Sequence, residues 1–271
     1  MSNLKSAIYG LAVGDALGVP FEFMHRGTFV CNGMTGNGTH NQKAGTWSDD
    51  TSMTLATCKS IKENKSISTK DITAKFSDWL NKGEYTPDGI VFDCGITTSS
   101  AIHDGVGASD IYSNGNGSLM RILPLAFTDC KDKEINAISA ITHAHEISKE
   151  GCRIYVKIAR CLLSGQKLVN VIKSIKTSET YSRIKKLDSI SEEDISSSGY
   201  VVETLEASLW CILNTDNYKD AVIKAVNLGD DTDTVGAVTG GLAGIIYGYS
   251  SIPSEWIDTL RAKDIIDDCL F

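Results

Sequence analysis

Apolar residues recur at helical spacing along most of this chain. Leu4, Ile8 and Leu11 stand at i, i+4 and i+7, which predicts a first helix with an apolar stripe. Ile72, Phe76, Trp79 and Leu80 repeat the spacing, with Asp71 as the expected cap. Further stripes follow at Ile135, Ile138 and Ile141, then at Ile154, Ile158, Cys161 and Leu162. Leu168, Ile172 and Ile175 form another, as do Val202, Leu205, Leu209 and Ile212. Pro253 is expected to open a last helix at Ser254, with Trp256, Ile257 and Leu260 apolar. Period-two alternation is scarce, and only TFVC at 28–31 reads as a short edge strand. The polar stretch LDSISEEDISSSG, 187–199, reads as a surface loop or flexible connector. Helices on either side of it are alike in composition, so one all-α domain spanning residues 1–271 is expected.

One apolar segment differs from the rest. Between Val235 and Tyr247, Gly236, Gly240 and Gly244 recur every four residues. On a helix this makes a face without side chains, which another backbone can approach closely. Each glycine costs about 1 kcal/mol against alanine in a helix, and close packing at the centre of a bundle would offset it.

Composition narrows the classes of function. The formal net charge of -8 argues against a nucleic-acid backbone binder, yet a local pocket can still take an anionic small molecule. The eight cysteines contain no C-x-x-C pair and read as reduced, mostly buried residues, which points to the cytoplasm. MSNLKSAIYG lacks the apolar run of a signal peptide, and the Val235–Tyr247 segment is too short to span a bilayer. No membrane association is expected.

Directly before the glycine-rich segment stands GDDTDT, with Asp230, Asp231 and Asp233. A counterpart, SDDT, places Ser48, Asp49, Asp50 and Thr51 before another helical pattern. A helix N-terminus favours negative charge, but capping explains only one aspartate at each place. Two acidic clusters brought together repel unless a cation lies between them, and oxygen donors without thiolate or imidazole favour Mg²⁺ or Mn²⁺. The alternative is two unrelated capped helix starts facing solvent.

Three further features carry candidate chemistry. Gly115, Asn116, Gly117 and Ser118 form a glycine-rich turn that would present N–H groups to a phosphate, with Ser118 capping a helix opening at Leu119; it also reads as a mere turn. Arg121 is placed in that helix and is available to pair with the acidic sites, and His143 and His145 in THAHE read as ligands or caps. Glu22, between Phe21 and Phe23, is an acid in an apolar frame, suited to proton transfer if its pKa is raised; otherwise it pairs with a nearby base.

Taken together, GLAVGDALGVPFEF, GTWSDDTSMTLA, GNGSLMRILPLA, THAHEISKEG and NLGDDTDTVGAVTGGLAGIIYG resemble the ADP-ribosylglycohydrolase family, which includes the dinitrogenase reductase-activating glycohydrolase. The segments run in the family's order from residue 10 to residue 248. The resemblance implies a compact orthogonal helical bundle holding two Mg²⁺ or Mn²⁺ ions. It implies metal ligation by Ser48, Asp49, Asp50, Asp231, Asp233 and Thr234. Glu22, Asp49 and Asp50 become the candidates for proton transfer, Glu22 first. Asp93, Gly115, Asn116, Gly117, Ser118 and His143 become substrate contacts. The family usually reads G-G-D-T-D-T, so Asp230 stands where a glycine is expected.

The implied activity is hydrolysis of the glycosidic bond between ADP-ribose and an acceptor, with arginine of a protein favoured. The partner is then an ADP-ribosylated protein or a small ADP-ribose conjugate, met by a monomer. A non-catalytic ADP-ribose-binding or structural protein and a Mg²⁺-dependent phosphoryl hydrolase are the alternatives.

Overall fold

A computed structural model describes residues 2–271. Its helices are α1 (Asn3–Gly18), α2 (Asp49–Asn64), α3 (Thr69–Lys82), α4 (Ile96–Asp104), α5 (Asp132–Ser139) and α6 (Glu146–Leu163). They continue with α7 (Leu168–Ser174), α8 (Val201–Leu213), α9 (Tyr218–Asn227), α10 (Thr232–Tyr247), α11 (Ser254–Thr259) and α12 (Lys263–Cys269). No strand occurs among the described residues, so the protein is all-α as its periodicity predicts. No helix among them is long and apolar enough to cross a membrane.

Two helices, α1 and α10, are buried over almost their whole length, Ser6–Gly18 and Thr232–Gly244. A helix with no polar face belongs at the centre of a fold. Their pairing is the most extensive helix contact in the molecule. It is close because glycine meets glycine: a methyl at Gly14 would lie 2.1 Å from the Gly236 carbonyl oxygen, and one at Gly10 2.3 Å from that of Gly240. The bare face expected at Gly236, Gly240 and Gly244 therefore meets Gly14, Gly10 and the Ser6–Ala7 backbone of α1 in turn. At the end of that seam Gly18 lies against the Asp233 backbone, where a methyl would come within 2.3 Å of its Cα. The seam thus delivers the GDDTDT segment to the end of α1.

The outer helices are amphipathic and wrap this pair. Ile72, Phe76, Ile138, Ile158, Ile172 and Leu205 are all buried and belong to one contiguous apolar core. Several local expectations change. Ser68 rather than Asp71 caps α3, accepting the Asp71 N–H at 3.3 Å; Asp71 lies in the first turn. The helix opened by Pro253 ends at Thr259, and α12 follows it. Residues 28–31 form no strand: Asn227 pairs with Cys31 instead, Oδ1 accepting its N–H at 2.8 Å and Nδ2 donating to its carbonyl at 2.9 Å.

The 187–199 segment is not simply a solvated connector. Ile195 and Ser197 are buried, and Arg26 donates to the carbonyls of Glu192 (2.7 Å) and Ile195 (2.6 Å). Its backbone makes those bonds, so the serine-rich side chains do not reveal them. No α-helix opens at Leu119 either. Asn116–Ser118 is a single 3₁₀ turn, and Pro124, which lacks an N–H, starts a separate one at Leu123–Phe127.

Candidate active site

The N-termini of α2 and α10 meet beside the end of α1. Ser48 caps α2, with its Oγ accepting the Asp50 N–H at 3.4 Å, while Asp231 occupies the cap position of α10. Thr234 Oγ1 donates to Asp50 Oδ2 at 3.3 Å, across 184 positions of sequence. The two acidic clusters are therefore one site.

Asp15, which the sequence reading did not single out, organises the first cluster from α1. It is fully buried, with Oδ1 accepting the Ser48 N–H (2.9 Å) and Oδ2 accepting the Thr51 N–H (3.0 Å) and hydroxyl (2.6 Å). Burial pushes its pKa up to about 7 even though those hydrogen bonds oppose the shift. Its signal was an acid inside the otherwise apolar run of GLAVGDALG.

A cleft of about 300 Å³ opens on this junction. Glu22, Asp49, Asp93, Gly115, Asn116, Gly117, His143, Asp231 and Thr234 line it, and Phe23 and Ile96 stand at its walls. Asp50 and Asp233 lie behind these, almost without exposure. Ser118 does not reach the cleft with its side chain: it is buried, its hydroxyl 3.0 Å from Ser139 Oγ and 3.4 Å from Cys152 Sγ. A larger cleft of about 530 Å³, walled by Ile61, Phe127, Cys130 and Phe271, shares no residue with either acidic cluster.

The electrostatics follow from burial. Desolvation raises Asp49, Asp50 and Asp233 well above the usual carboxylate range, and their mutual repulsion adds to it. Asp231 is raised for the same reason, although Asn116 Nδ2 donates to its Oδ2 at 2.8 Å. Asp50 Oδ1, Asp231 Oδ1 and Asp233 Oδ2 are buried with no hydrogen-bond partner among the described residues. Among the described residues no Lys or Arg pairs with these acids. Unpartnered buried carboxylate oxygens are costly unless a cation meets them, and an all-oxygen donor set suits a hard divalent ion. The closest groups of candidate ligand atoms are Glu22 with Asp231 and Asp233, and Glu22 with His40 and Asp93, each within 4.8 Å of one another.

Glu22 combines a raised pKa with a basic partner. Burial pushes it up to about 8, while a hydrogen bond with His40 Nε2 works against the shift. His40, missed from the sequence because spacing gives no hint of it, lies near Phe23 and Phe92, with ring centres 6.1 and 5.3 Å away. The preceding residue holds the backbone as well: Thr39 Oγ1 donates to the Glu22 carbonyl at 2.6 Å.

The remaining expectations divide. Asp230 leaves the site: its side chain is half-exposed and 3.2 Å from His25 Nδ1. Its backbone is what counts, with φ +58°, accepting the Phe23 N–H at 2.7 Å and donating to the Met24 carbonyl at 2.8 Å. A glycine takes that conformation without strain, which accounts for the family's residue there. Arg121 pairs with no carboxylate; it is fully buried under the Gly117 turn, its guanidinium over the Phe76 ring. His145 caps α6, accepting the Ile147 N–H at 3.3 Å, and only His143 reaches the cleft. Asp93 faces it from a left-handed backbone, φ +50°.

The chain as a whole is similar to known proteins. The sequence profile of the ADP-ribosylglycohydrolase family matches residues 1–270. An ADP-ribosylarginine hydrolase of Serratia proteamaculans is 32% identical over 289 residues, covering 99% of this chain and 78% of the relative. The ADP-ribosyl-[dinitrogen reductase] glycohydrolase of Rhodospirillum rubrum is 33% identical over 270 residues, covering 95% of this chain and 90% of the relative. A solved ADP-ribosylglycohydrolase-related protein complex superposes with a TM-score of 0.84 at 27% identity, covering 98% of this chain and 95% of the solved one. The chain belongs to the ADP-ribosylglycohydrolase family, whose members are hydrolases.

Proposed function

We propose that this chain removes mono-ADP-ribose from protein arginine by hydrolysing the bond between the anomeric carbon and the guanidinium nitrogen, assisted by a pair of Mg²⁺ or Mn²⁺ ions. One observation carries the reading: two buried acidic clusters with unpartnered oxygens converge beside Glu22 in a single cleft. The name of the Serratia relative supports arginine as the acceptor, and that of the Rhodospirillum relative supports a protein as its carrier. Ser48, Asp49, Asp50, Asp231, Asp233 and Thr234 would hold the ions, which when bound polarise substrate oxygens and lower the pKa of a coordinated water.

The chain's own groups do the rest. Cleavage of a glycosyl bond builds positive charge on the ribose, so it needs a proton donor to the departing nitrogen and a base toward water. Glu22 titrates near neutrality and can hold a proton at its carboxyl, with Asp49 and Asp50 as the other proton-transfer groups. The Asn116 N–H is already given to the Gly199 carbonyl at 3.0 Å. The backbone of Gly115 and Gly117 in the cleft wall is then left for the diphosphate, with Ser118 closing the turn behind it and Asp93 and His143 along the same ligand. An uncharged turn of this kind lets an acidic protein bind an anion. The partners are ADP-ribosylated proteins or small ADP-ribose conjugates, met by a cytoplasmic monomer.

The test is to incubate the purified chain with ADP-ribosyl-arginine, ADP-ribosyl-serine and a phosphomonoester, with and without Mg²⁺ or Mn²⁺. Metal-dependent release of ADP-ribose from the arginine conjugate, lost in Asp231→Asn, is the expected result. Tight ADP-ribose binding without release from any linkage would make the chain a binding protein instead. Phosphate release from the monoester alone would make it a phosphoryl hydrolase.

A further inference from the structure

Arg121 is a buried cation without a carboxylate partner among the described residues, and the proposed hydrolysis does not use it. Its guanidinium is fully enclosed, with Nη1 donating to the Gly117 carbonyl and Nη2 to the Ile138 carbonyl (3.3 Å) and Thr142 Oγ1 (2.9 Å). Thr142, also fully buried, has its Oγ1 2.8 Å from His143 Nδ1. These contacts have a direction. A guanidinium only donates, so Thr142 Oγ1 must accept from Arg121. Its own hydroxyl proton is then free for one partner, and among the described residues the only other group in reach is His143 Nδ1. A ring nitrogen that accepts carries no proton, so the imidazole hydrogen must sit on Nε2.

The geometry points to Arg121 and Thr142 as positioning residues that lock His143 in its Nε2–H tautomer, so that the wall beside Gly115 and Gly117 offers the ligand a fixed, uncharged hydrogen-bond donor. Nε2 lies on the cleft side of the ring, 3.5 Å from where a Cβ at Gly115 would stand and 3.6 Å from one at Gly117. Among the described residues it has no hydrogen-bond partner. Burial, with the Arg121 charge behind it, pulls the His143 pKa down to about 3, so the ring stays neutral at any working pH. A donor without charge suits a cleft that holds both carboxylates and an anion, because it binds the anion without being captured by an acid. The reverse tautomer would aim a lone pair at the ligand's oxygens and repel them.

This inference rests on the cleft being an ADP-ribose site for its purpose, but not for its geometry, and the two are tested separately. Long-range proton–nitrogen NMR correlation on uniformly ¹⁵N-labelled protein resolves the tautomer of each of the five histidines, with His143→Gln identifying the signal. The expected spectrum has an unprotonated Nδ1 and a protonated Nε2 at His143, unchanged between pH 6 and 8. Protonation at Nδ1 would overturn the proposal, whatever the ligand is. Thr142→Val removes the hydroxyl at nearly constant volume. It is expected to release the tautomer to a mixture and weaken ADP-ribose, measured by calorimetry, about tenfold. Thr142→Ser is expected to restore both. An altered tautomer with unchanged ADP-ribose affinity would sink the role of the locked donor. A wild-type protein that shows the predicted tautomer yet binds no ADP-ribose would overturn the proposed function and leave the lock intact.

Discussion

Thr234 Oγ1 donates to Asp50 Oδ2 at 3.3 Å, tying the first turn of α10 to the first turn of α2. This contact joins two sets of buried acids that, among the described residues, no Lys or Arg neutralises. Their unpartnered oxygens are costly to bury, and the proposed cations would offset that cost.

Asp233→Asn removes one of the repelling charges. In metal-free buffer it is expected to raise Tm by a few degrees, on the order of 1 kcal/mol, because a buried unpaired charge is lost. The same variant is expected to lose the Tm increase that millimolar Mg²⁺ or Mn²⁺ gives the wild type, since ligand binding to the native state stabilises it by mass action. Differential scanning fluorimetry with and without metal checks both. A wild-type Tm indifferent to either ion would count against the cation site.

The pH dependence has a definite sign. Glu22 moves from 4.5 to about 8 and Asp15 from 3.8 to about 7 on folding, so the folded state binds more protons between those limits. Their contribution is fully present below pH 4 or so and is lost as pH rises through 7 and 8. Metal-free protein is therefore expected to lose stability from pH 5 to pH 8 in urea titrations. Glu22→Gln should flatten part of that slope. A stability that climbs across the same window would contradict the assignment.

Glu22→Gln is expected to lower the rate of ADP-ribose release by about 10²–10⁴-fold, the usual cost of losing a general acid–base group. His40→Ala, which frees the Glu22 carboxyl from its partner, should lower kcat less and shift the pH profile, leaving KM nearly unchanged. Steady-state kinetics on ADP-ribosyl-arginine separates the two variants.

The central seam should tolerate no side chain. Gly14→Ala puts a methyl 2.1 Å from the Gly236 carbonyl oxygen, and backbone cannot yield as a flexible side chain does. A loss of roughly 3 kcal/mol or more in chemical denaturation is expected, at the upper end of overpacking costs. Gly33→Ala meets only Trp256 Nε1 at an ordinary 3.7 Å and should change stability by less than about 0.5 kcal/mol.

Asp230→Gly tests the residue that made the acidic segment look excessive. The backbone there is left-handed and the side chain turns toward His25, so glycine is expected to stabilise the fold by about 0.5–1 kcal/mol. Activity should stay as in the wild type, because the backbone bonds to Phe23 and Met24 that support Glu22 are kept.

Much of this protein is legible along the chain. Helical periodicity marked the stripes that form the core, and the four-residue glycine spacing marked α10 as a helix that another backbone approaches. Asp231, Asp233, Asp49 and Asp50 stood out because local capping could not account for them all. These signals are local: each depends on a 3.6-residue period or on charges within one turn. The misread features have equally physical causes. Ser118 reads as the cap of a helix opening at Leu119, but no α-helix opens there and its hydroxyl faces Cys152 and Ser139. Arg121 was expected to pair with acids, and its nearest partners are carbonyls and a hydroxyl.

By itself, then, the sequence determined the all-α class, the glycine-faced central helix and the two acidic segments, because period and local charge survive in any single stretch of chain. Only the tertiary structure decided that Asp15 props the first acidic segment, that His40 meets Glu22, that Asp230 faces outward and that Arg121 stands behind His143. Each of these depends on side chains from distant segments meeting at a few ångströms, and on burial that strengthens their fields. Hydrogen-bond direction and desolvation are properties of the assembled site, and neither leaves a periodic trace in the order of residues.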